Sequence, residues 1–170
     1  MTPVLRTKRM LLCPYVPADE EGFVALFQDT RVSRWMGDGP ESEESDRALF
    51  GRIFSKVYDN DLFDVWAVRR DGRLIGHAEI KPTDTTGGHE IIYALAAAEW
   101  GSGLGTELAD AIVAYGFGTL KLPEVFATVA LENTASSAVL ARLGFRHVRD
   151  IANDDGSTTR VLSRAAAVPA

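Results

Sequence analysis

Residues 99–107 read Glu99-Trp100-Gly101-Ser102-Gly103-Leu104-Gly105-Thr106-Glu107, and they join a strand-like run to a helical pattern. The run before them is Ile91-Ile92-Tyr93-Ala94-Leu95, and apolar residues recur after them at helical spacing from Leu108 to Tyr115. A glycine-rich turn that enters a helix leaves the first backbone N–H groups free, and their dipoles point toward the turn. These residues therefore predict an anion site suited to phosphate or pyrophosphate.

Two familiar phosphate-binding loops do not match this turn. The Walker loop needs Gly-Lys-Ser/Thr at the start of its helix, but no lysine lies between Lys81 and Lys121. The dinucleotide fingerprint needs a third glycine three residues after the second. With Gly101 and Gly103 as the first pair, that position is Thr106. The spacing therefore disfavours both kinds of nucleotide-binding site.

Composition sets broad limits on the protein class. A chain of 170 residues suits one domain over residues 1–170 with a sizeable core. Hydrophobic residues make up 46% and charged residues 25%, as in ordinary soluble globular proteins. The net charge of −6 argues against a nucleic-acid-binding surface. It favours cationic small substrates or basic peptide ends as partners.

Cysteine and histidine usage predicts no metal site. The single cysteine, Cys13, excludes an intramolecular disulfide and a cysteine-cluster metal site, and its apolar neighbours indicate a buried structural thiol. The histidines at 77, 89 and 147 lack the spacing of zinc ligands. No apolar run reaches membrane-spanning length and no signal-like segment opens the chain, so a reduced, cytoplasmic setting is expected.

Periodicity and turn residues predict a mixed α/β sheet in one domain. The Asp71-Gly72 pair indicates a tight hairpin, Ser42 a helix N-cap, and the final Ala/Pro-containing residues are expected to fray. The predicted helices are Ala18–Gln28, one after Ser42, one from the glycine turn to about Thr119, and Ala135–Leu143. The predicted strands are Val4–Pro14, Phe63–Arg70, Arg73–Ile80, His89–Leu95, Glu124–Leu131, Phe145–Ile151 and Thr158–Ser163.

This order of elements and motifs resembles the GCN5-related N-acetyltransferases over nearly the whole chain, in particular the subgroup of ribosomal-protein alanine N-acetyltransferases (Rim type). The resemblance implies a mostly antiparallel sheet, flanked by helices, that splays between the fourth and fifth predicted strands. The matching stretches are Leu5-Arg6-Thr7-Lys8-Arg9-Met10-Leu11-Leu12, Leu74-Ile75-Gly76-His77, Glu90-Ile91-Ile92-Tyr93, Trp100 to Glu107, Asn133-Thr134-Ala135-Ser136 and Leu143-Gly144-Phe145.

The resemblance also implies acetyl-CoA as the acetyl donor. The family pattern at the turn is Gln/Arg-x-x-Gly-x-Gly/Ala, with Trp100 at the first position here. Its backbone amides would wrap the pyrophosphate, as the free N–H groups of a helix start favour. The pantetheine arm would pair with the fourth predicted strand and contact Asn133, with Ser136 near the sulfur. The implied cofactor-binding residues are Ile92, Ala94, Leu95, Gly101, Ser102, Gly103, Leu104, Gly105, Thr106, Asn133 and Ser136.

Acetyl transfer needs a neutral amine, so a base or a water relay must take a proton from an ammonium group. Glu90, at the position where Rim-type members often carry a glutamate facing the acceptor, is the leading candidate, acting through water. The alternative is an exposed carboxylate at a strand end. Glu132 is the second candidate, and His89 is the third, although strand alternation should point it away from Glu90.

The leaving thiolate needs a proton or a hydrogen bond. The usual acid of the family is a tyrosine seven residues after the asparagine, but Leu140 occupies that position here. Ser136 resembles the serine that Rim-type enzymes have near the cofactor sulfur, so we expect it to donate to the thiolate. The alternative role for Ser136 is capping of the helix N-terminus.

Taken together, these features predict acetyl transfer from acetyl-CoA to a primary amine, either a protein N-terminus or a small-molecule amine. Trp35 and Met36 lie in the loop that forms one wall of the acceptor cleft in the family. A non-catalytic acyl-CoA-binding or regulatory domain on the same fold is the alternative. Homodimers are common in the family, so the resemblance allows one here.

Overall fold

The computed structural model describes residues 1–168, and within them eight strands form one mixed sheet in the spatial order β1-β2-β3-β4-β5-β6-β8-β7. Every neighbouring pair is antiparallel except β5 and β6, which are parallel. This confirms the expected α/β fold with a mostly antiparallel sheet. The strands are β1 (Leu5–Arg6), β2 (Leu11–Cys13), β3 (Asp64–Arg70), β4 (Arg73–Thr83), β5 (Gly88–Leu95), β6 (Glu124–Ala130), β7 (Arg146–Ala152) and β8 (Thr158–Ala165).

Helices flank both faces of the sheet. They are α1 (Glu20–Gln28), α2 (Thr30–Ser33), α3 (Glu43–Arg52), α4 (Leu104–Gly118) and α5 (Thr134–Arg142). Ser42 caps α3 as predicted, because its hydroxyl accepts the N–H of Ser45 at 3.1 Å. The short α2 was not predicted; the Asp29 side chain caps it by accepting the N–H of Arg31.

Two apolar clusters cover the two faces, which is why the central strands read as nearly continuous apolar runs. On one face α4 packs with Leu108 and Ile112 against Trp66 of β3 and Val125 of β6. On the other face the phenylalanines of α1 and α3 pack around Tyr15, with ring centroids 5.6 Å from Phe23 and from Phe50. The face covered by α1 and α3 is called the α1/α3 face below.

The predicted first strand, Val4–Pro14, is wrong because the segment divides into β1 and β2 around a turn. Thr7 closes the turn: its N–H donates to the Met10 carbonyl at 2.9 Å, and its hydroxyl accepts the Met10 N–H at 2.9 Å. The extra strand shifts the count, so the fourth and fifth predicted strands are β5 and β6. Of the final residues expected to fray, 169 and 170 lie outside the described residues, and Ala166 is hydrogen-bonded to Pro123 at 2.8 Å.

The sheet splays between β5 and β6, as the family resemblance implies. Within residues 1–168 these two strands pair only at His89 with Val125 and at Glu90 with Phe126. Beyond that point β5 continues to Leu95 and β6 diverges from it, while β4 stays paired with β5 along the whole of β5. One edge of β5 therefore faces a gap, which we call the splay.

Candidate active site

The glycine turn has the backbone geometry of an anion site. Gly101 and Gly103 have φ angles of +86° and +82°, and Gly103 is the N-cap of the fifteen-residue α4. These left-handed conformations favour glycine because a Cβ atom would strain them. Residues 101–103 are exposed, whereas the Leu104 side chain is buried in the core. The start of α4 is thereby anchored while its free N–H groups border an open turn.

An ion pair from the β1–β2 turn supports one side of the glycine turn. The Arg9 guanidinium donates from Nε to Glu107 Oε1 and from Nη1 to the Ser102 carbonyl, both at 2.8 Å. Glu107 Oε2 also accepts the Thr7 hydroxyl at 2.6 Å and the Arg9 N–H at 2.9 Å. Burial opposes ionisation of Glu107, but these donors from Thr7 and Arg9 lower the pKa of its carboxyl. These contacts of Thr7 and Arg9 with Ser102 and Glu107 were not predicted from the sequence, because the residues are about a hundred positions apart.

Two further contacts hold the other side of the turn. Arg70 Nη1 lies 2.9 Å from Glu99 Oε2, which ties the end of β3 to the residues just before the turn. The Trp100 indole N–H donates to the Leu95 carbonyl at 2.9 Å, although half of this side chain is exposed. The turn is thus fixed relative to the C-terminal end of β5, at the mouth of the splay.

The three β5 residues expected to contact the cofactor lie along the splay. Beyond Glu90 the register of β5 with β6 ends, so Ile92, Ala94 and Leu95 belong to the unpaired part of that edge. The side chains of Ala94 and Leu95 are buried and that of Ile92 is half-buried. The resemblance implies a contact through their backbone, but the Leu95 carbonyl already accepts the Trp100 indole N–H. The regular ladder with β4, which includes the bond from the Ala96 N–H to the Ile75 carbonyl, turns the backbone groups of Ile92 and Ala94 toward β4 and away from the splay.

Glu90 lies at the apex of the splay, at the last paired position of β5 and β6. Its side chain is 7% exposed, so the alternative of an exposed strand-end carboxylate is wrong. Thr83 Oγ1 of β4 donates to Oε2 at 3.0 Å, and Thr128 Oγ1 of β6 donates to Oε1 at 2.5 Å. Hydroxyls from both neighbouring strands therefore hold this carboxylate, and neither threonine was singled out from the sequence.

His89 and Glu90 point to opposite faces of the sheet, as strand alternation predicts. His89 lines a cleft with Ile80 and Tyr115 on the face covered by α4. Glu90 lies on the α1/α3 face. His89 is therefore separated from Glu90 by the sheet itself.

A buried hydrogen-bonded chain runs along β4 on the α1/α3 face, one strand away from Glu90. The Tyr15 hydroxyl lies 2.8 Å from His77 Nδ1, and His77 Nε2 lies 2.8 Å from Glu79 Oε1. Lys81 Nζ lies 3.0 Å from Glu79 Oε2. The sequence does contain a sign of these hydrogen-bonded side chains. The alternation His77-x-Glu79-x-Lys81 puts three ionisable groups on one face of a strand.

Burial and charge determine how the hydrogen-bonded side chains along β4 ionise. Burial raises the pKa of the Tyr15 hydroxyl well above its usual value, with the Tyr58 hydroxyl adding to the effect. Burial also opposes ionisation of Glu79, but the hydrogen bond from His77 and the charges of His77 and Lys81 outweigh it and lower the pKa of Glu79 to about 2. Glu79 is therefore an anion at neutral pH and a very weak base.

Asn133 and Ser136 begin α5 at the far side of the splay. Asn133 is the N-cap, and its Oδ1 accepts the Ser136 N–H at 3.3 Å. The cap of α5 is therefore Asn133 and not Ser136, so the capping explanation for Ser136 is wrong. Ser136 Oγ instead lies 3.2 Å from the hydroxyl of Tyr93 on β5. Leu140 is buried in the core, as its apolar side chain requires.

Three predicted site residues make no hydrogen bond to Glu90 or to Ser136 within residues 1–168. Glu132 is exposed in the turn after β6, six residues beyond the Phe126 that pairs with Glu90, or roughly 20 Å along an extended chain. Trp35 is half-buried after α2, with the Arg34 guanidinium 4.3 Å from its ring centroid. Met36 packs against the apolar cluster of α1 and α3. Their contact with an acceptor stays a prediction.

No helix within residues 1–168 is long and apolar enough to cross a membrane. Over the same residues, no group of three or more histidine, cysteine, aspartate or glutamate side chains could hold a metal ion.

Several known proteins that are similar to this chain are described as acetyltransferases. The family described as acetyltransferase (GNAT) domain matches residues 9–146. The uncharacterized N-acetyltransferase YoaA of Bacillus subtilis (strain 168) is 31% identical over 153 residues, which cover 86% of this chain and 84% of that protein. Mycobacterium smegmatis RimJ in complex with CoA-disulfide superposes with a TM-score of 0.80 at 20% identity, over 96% of this chain and 86% of the other. The ribosomal-protein-S5-alanine acetyltransferase from Vibrio fischeri superposes with a TM-score of 0.77 at 15% identity, over 96% of each chain.

Proposed function

This chain belongs to the GNAT family of acetyltransferases, and we propose that it moves an acetyl group from acetyl-CoA to a primary amine. The observation that carries the proposal is the splay between β5 and β6, with an open glycine turn at its mouth and a buried carboxylate at its apex. A long, flexible thioester with a pyrophosphate at one end fits such a gap, since the gap offers N–H groups at one end and a proton acceptor at the other.

In the proposed complex the pyrophosphate binds residues 101–106 and the pantetheine arm follows the open edge of β5. The left-handed glycines and the free N–H groups at the start of α4 support the first contact. The edge of β5 beyond Glu90, which has no β6 partner within residues 1–168, supports the second. Asn133 uses Oδ1 to cap α5, so its contact with pantetheine would come from Nδ2. RimJ of Mycobacterium smegmatis is described in complex with CoA-disulfide, which agrees with this cofactor class.

We propose that Glu90 takes a proton from the acceptor ammonium through water or orients that ammonium. Its burial at the apex and its two hydroxyl donors support this role, because they fix the carboxylate in one geometry. Ser136, on the opposite wall of the splay, would donate to the leaving thiolate. A backbone N–H of β5 would stabilise the thioester oxygen as charge develops there.

The acceptor is proposed to be a protein N-terminus or a small-molecule amine, with Trp35 and Met36 on the wall of its cleft. The net charge of −6 favours a cationic acceptor. The Vibrio fischeri neighbour is described as acting on ribosomal protein S5, which supports including peptide N-termini among the acceptors tested. One domain over residues 1–170, a cytoplasmic setting and a homodimer stay predictions.

The rival proposal is a non-catalytic acyl-CoA-binding or regulatory domain on the same fold. Thiol release from acetyl-CoA should be followed with a panel of amines that includes short peptides with N-terminal alanine or serine, polyamines and amino acids. Release that depends on one amine, with an acetylated product of the expected mass, would support the enzyme. Tight CoA binding without amine-dependent release across the panel would support the rival.

A further inference from the structure

One side-chain hydrogen bond joins the two sides of the splay at a point where β5 and β6 are no longer paired. Tyr93 extends from β5 and its hydroxyl lies 3.2 Å from Ser136 Oγ in the first turn of α5. The last backbone pairing of β5 with β6 is at Glu90, three residues earlier. The two hydroxyls therefore lie between the apex of the splay and the glycine turn, on the path that a pantetheine arm would follow.

Resting on the proposed function, we propose that Tyr93 is a positioning residue that acts through Ser136. In this arrangement Tyr93 donates to Ser136 Oγ, and Ser136 donates its own hydroxyl hydrogen to the sulfur of CoA.

A count of hydrogens supports this direction. Each hydroxyl has one hydrogen to donate and two lone pairs. Their mutual hydrogen bond uses one of the two hydrogens, so the pair keeps one hydrogen for a third atom. The phenol is the stronger acid and is the better donor within the pair. Ser136 consequently keeps the free hydrogen, and burial, which raises the pKa of Tyr93, keeps the phenol protonated at neutral pH.

The two anchors make the pair rigid. The Tyr93 ring packs against the apolar cluster beneath α4, and its side chain is only partly exposed. Ser136 is fixed by the hydrogen bond of its N–H to the Asn133 cap. A donor that is held in place before the reaction loses little orientational freedom when charge develops on its acceptor.

The step balances without an outside reagent. As the bond from the amine nitrogen to the acetyl carbon forms, the bond from that carbon to sulfur breaks and sulfur takes the electron pair. The thiolate accepts the Ser136 proton, and the Tyr93 proton replaces it. The acceptor ammonium loses one proton to Glu90 or water before the attack, and the second proton, lost from nitrogen after the attack, returns through water to the tyrosine. The products are the amide, the CoA thiol and one proton released to solvent.

The test uses CoA alone, so it needs no acceptor. The pKa of the bound CoA thiol can be obtained from the rate of its alkylation by iodoacetamide across pH, read as the mass of the CoA adduct with protein in excess. Tyr93→Phe and Ser136→Ala should each raise this pKa by about one, a tenfold change in thiolate fraction at a given pH. CoA affinity, measured by calorimetry, should change little.

A double variant tests whether Tyr93 works through Ser136. Tyr93→Phe with Ser136→Ala should raise the thiol pKa no further than Ser136→Ala alone, because the two changes break one chain. Tyr115→Phe is the matched control: its hydroxyl donates to Asp64 at 2.7 Å on another part of the fold, and the thiol pKa should stay at the wild-type value.

Several results would overturn the inference. They are an unchanged thiol pKa in Tyr93→Phe, an additive shift in the double variant, and a wild-type protein that fails to bind CoA. The proposed function fails separately, if CoA binds and its thiol pKa responds as expected but no amine is acetylated.

Discussion

Glu90 and Glu79 lie on neighbouring strands of the same sheet face, but their surroundings suit them to different chemistry. Glu79 is paired with His77 and Lys81, and its pKa falls to about 2, so it has little tendency to accept a proton at neutral pH. The hydrogen bonds to Glu90 come from the hydroxyls of Thr83 and Thr128. Of the two carboxylates, Glu90 is therefore the better candidate for a base.

For Glu90→Gln we expect turnover to fall by roughly a hundredfold, within the range for loss of a general base. The amide has nearly the same shape, so CoA affinity should stay near the wild-type value. Steady-state kinetics with an accepted amine and calorimetry with CoA provide the measurements. A loss confined to the Michaelis constant of the amine would indicate orientation of the ammonium instead. Unchanged kinetics in this variant, with a loss in Glu132→Gln, would move the base to Glu132.

The low pKa of Glu79 predicts a pH-dependent contribution to stability. A carboxyl whose pKa is lower in the folded state stabilises the fold above the unfolded pKa, here 4.5, and that contribution disappears as the pH falls toward 2. The shift corresponds to on the order of 3 kcal/mol of unfolding free energy, and the side chain is only 17% exposed.

Urea unfolding of the wild type and Glu79→Gln from pH 7 to pH 3 measures this contribution. The difference in unfolding free energy between the two proteins should be largest at pH 7 and should shrink below about pH 5. The exposed Glu132→Gln variant serves as the control and should follow the wild type throughout. A difference that stays constant with pH would show that Glu79 acts by packing and not by charge.

At the scale of single elements, the sequence correctly predicts those helices, strands and turns whose conformation depends on residues close together in the chain. The Asp71-Gly72 pair forms the expected tight hairpin, with φ angles of +51° and +78° and pairing of Arg70 with Arg73 beside it. The helix after the glycine turn and the strand before it also lie where predicted. In each case periodicity or turn chemistry over a few residues determines the local conformation.

The features that were missed depend on residues far apart in sequence. The turn that divides the first predicted strand is closed locally by Thr7 and Met10, but it also binds Glu107, about a hundred positions later, through Thr7 and Arg9. Tyr93 meets Ser136 across 43 positions, and nothing local to either residue indicates that contact. The alternation of residues along a strand predicts the sheet face on which a side chain lies, but it does not predict which residue from a distant part of the sequence contacts that side chain.

The glycine turn itself can be tested by Gly103→Val. A side chain at this position would strain a φ angle of +82° and meet Arg9 Nη2 at 3.5 Å, and so would distort the N–H groups that border the turn. CoA affinity should fall by at least about tenfold with the fold intact, as calorimetry and circular dichroism can show. Gly118→Ala, at the other end of α4 in open space, is the matched control. Equal CoA affinity in both variants would exclude the turn as the pyrophosphate site.

At the scale of the whole molecule, the sheet consists of two parts whose strands, within residues 1–168, pair with each other only at the apex. Strands β1 to β5 form one antiparallel part, and β6, β8 and β7 form the other. Two parallel residue pairs join them, together with the bonds from Glu90 to Thr128 and from Tyr93 to Ser136. A ligand in the splay would contact both parts. It would also provide hydrogen-bond partners for backbone groups that have no partner strand there.

This arrangement predicts a local pattern of hydrogen exchange. Amides along an unpaired edge exchange through small local openings, whereas those inside a sheet require larger unfolding. Saturating CoA should therefore slow exchange at short labelling times in peptides that cover residues 90–96, 101–107 and 133–137. Peptides from β3, which is paired on both sides, should change little at those times. The melting temperature should rise with CoA concentration, because the ligand binds the folded state.

Mass-resolved exchange with and without CoA tests the whole arrangement at once. Protection at residues 101–107 alone would support the pyrophosphate contact and contradict the proposed path along β5. Protection centred on His89, Ile80 and Tyr115 would instead assign the ligand to the cleft on the face covered by α4. Adding Tyr93→Phe separates the pantetheine contacts from the hydroxyl pair, since the variant should keep the protection pattern of β5 even if the thiol pKa of bound CoA changes.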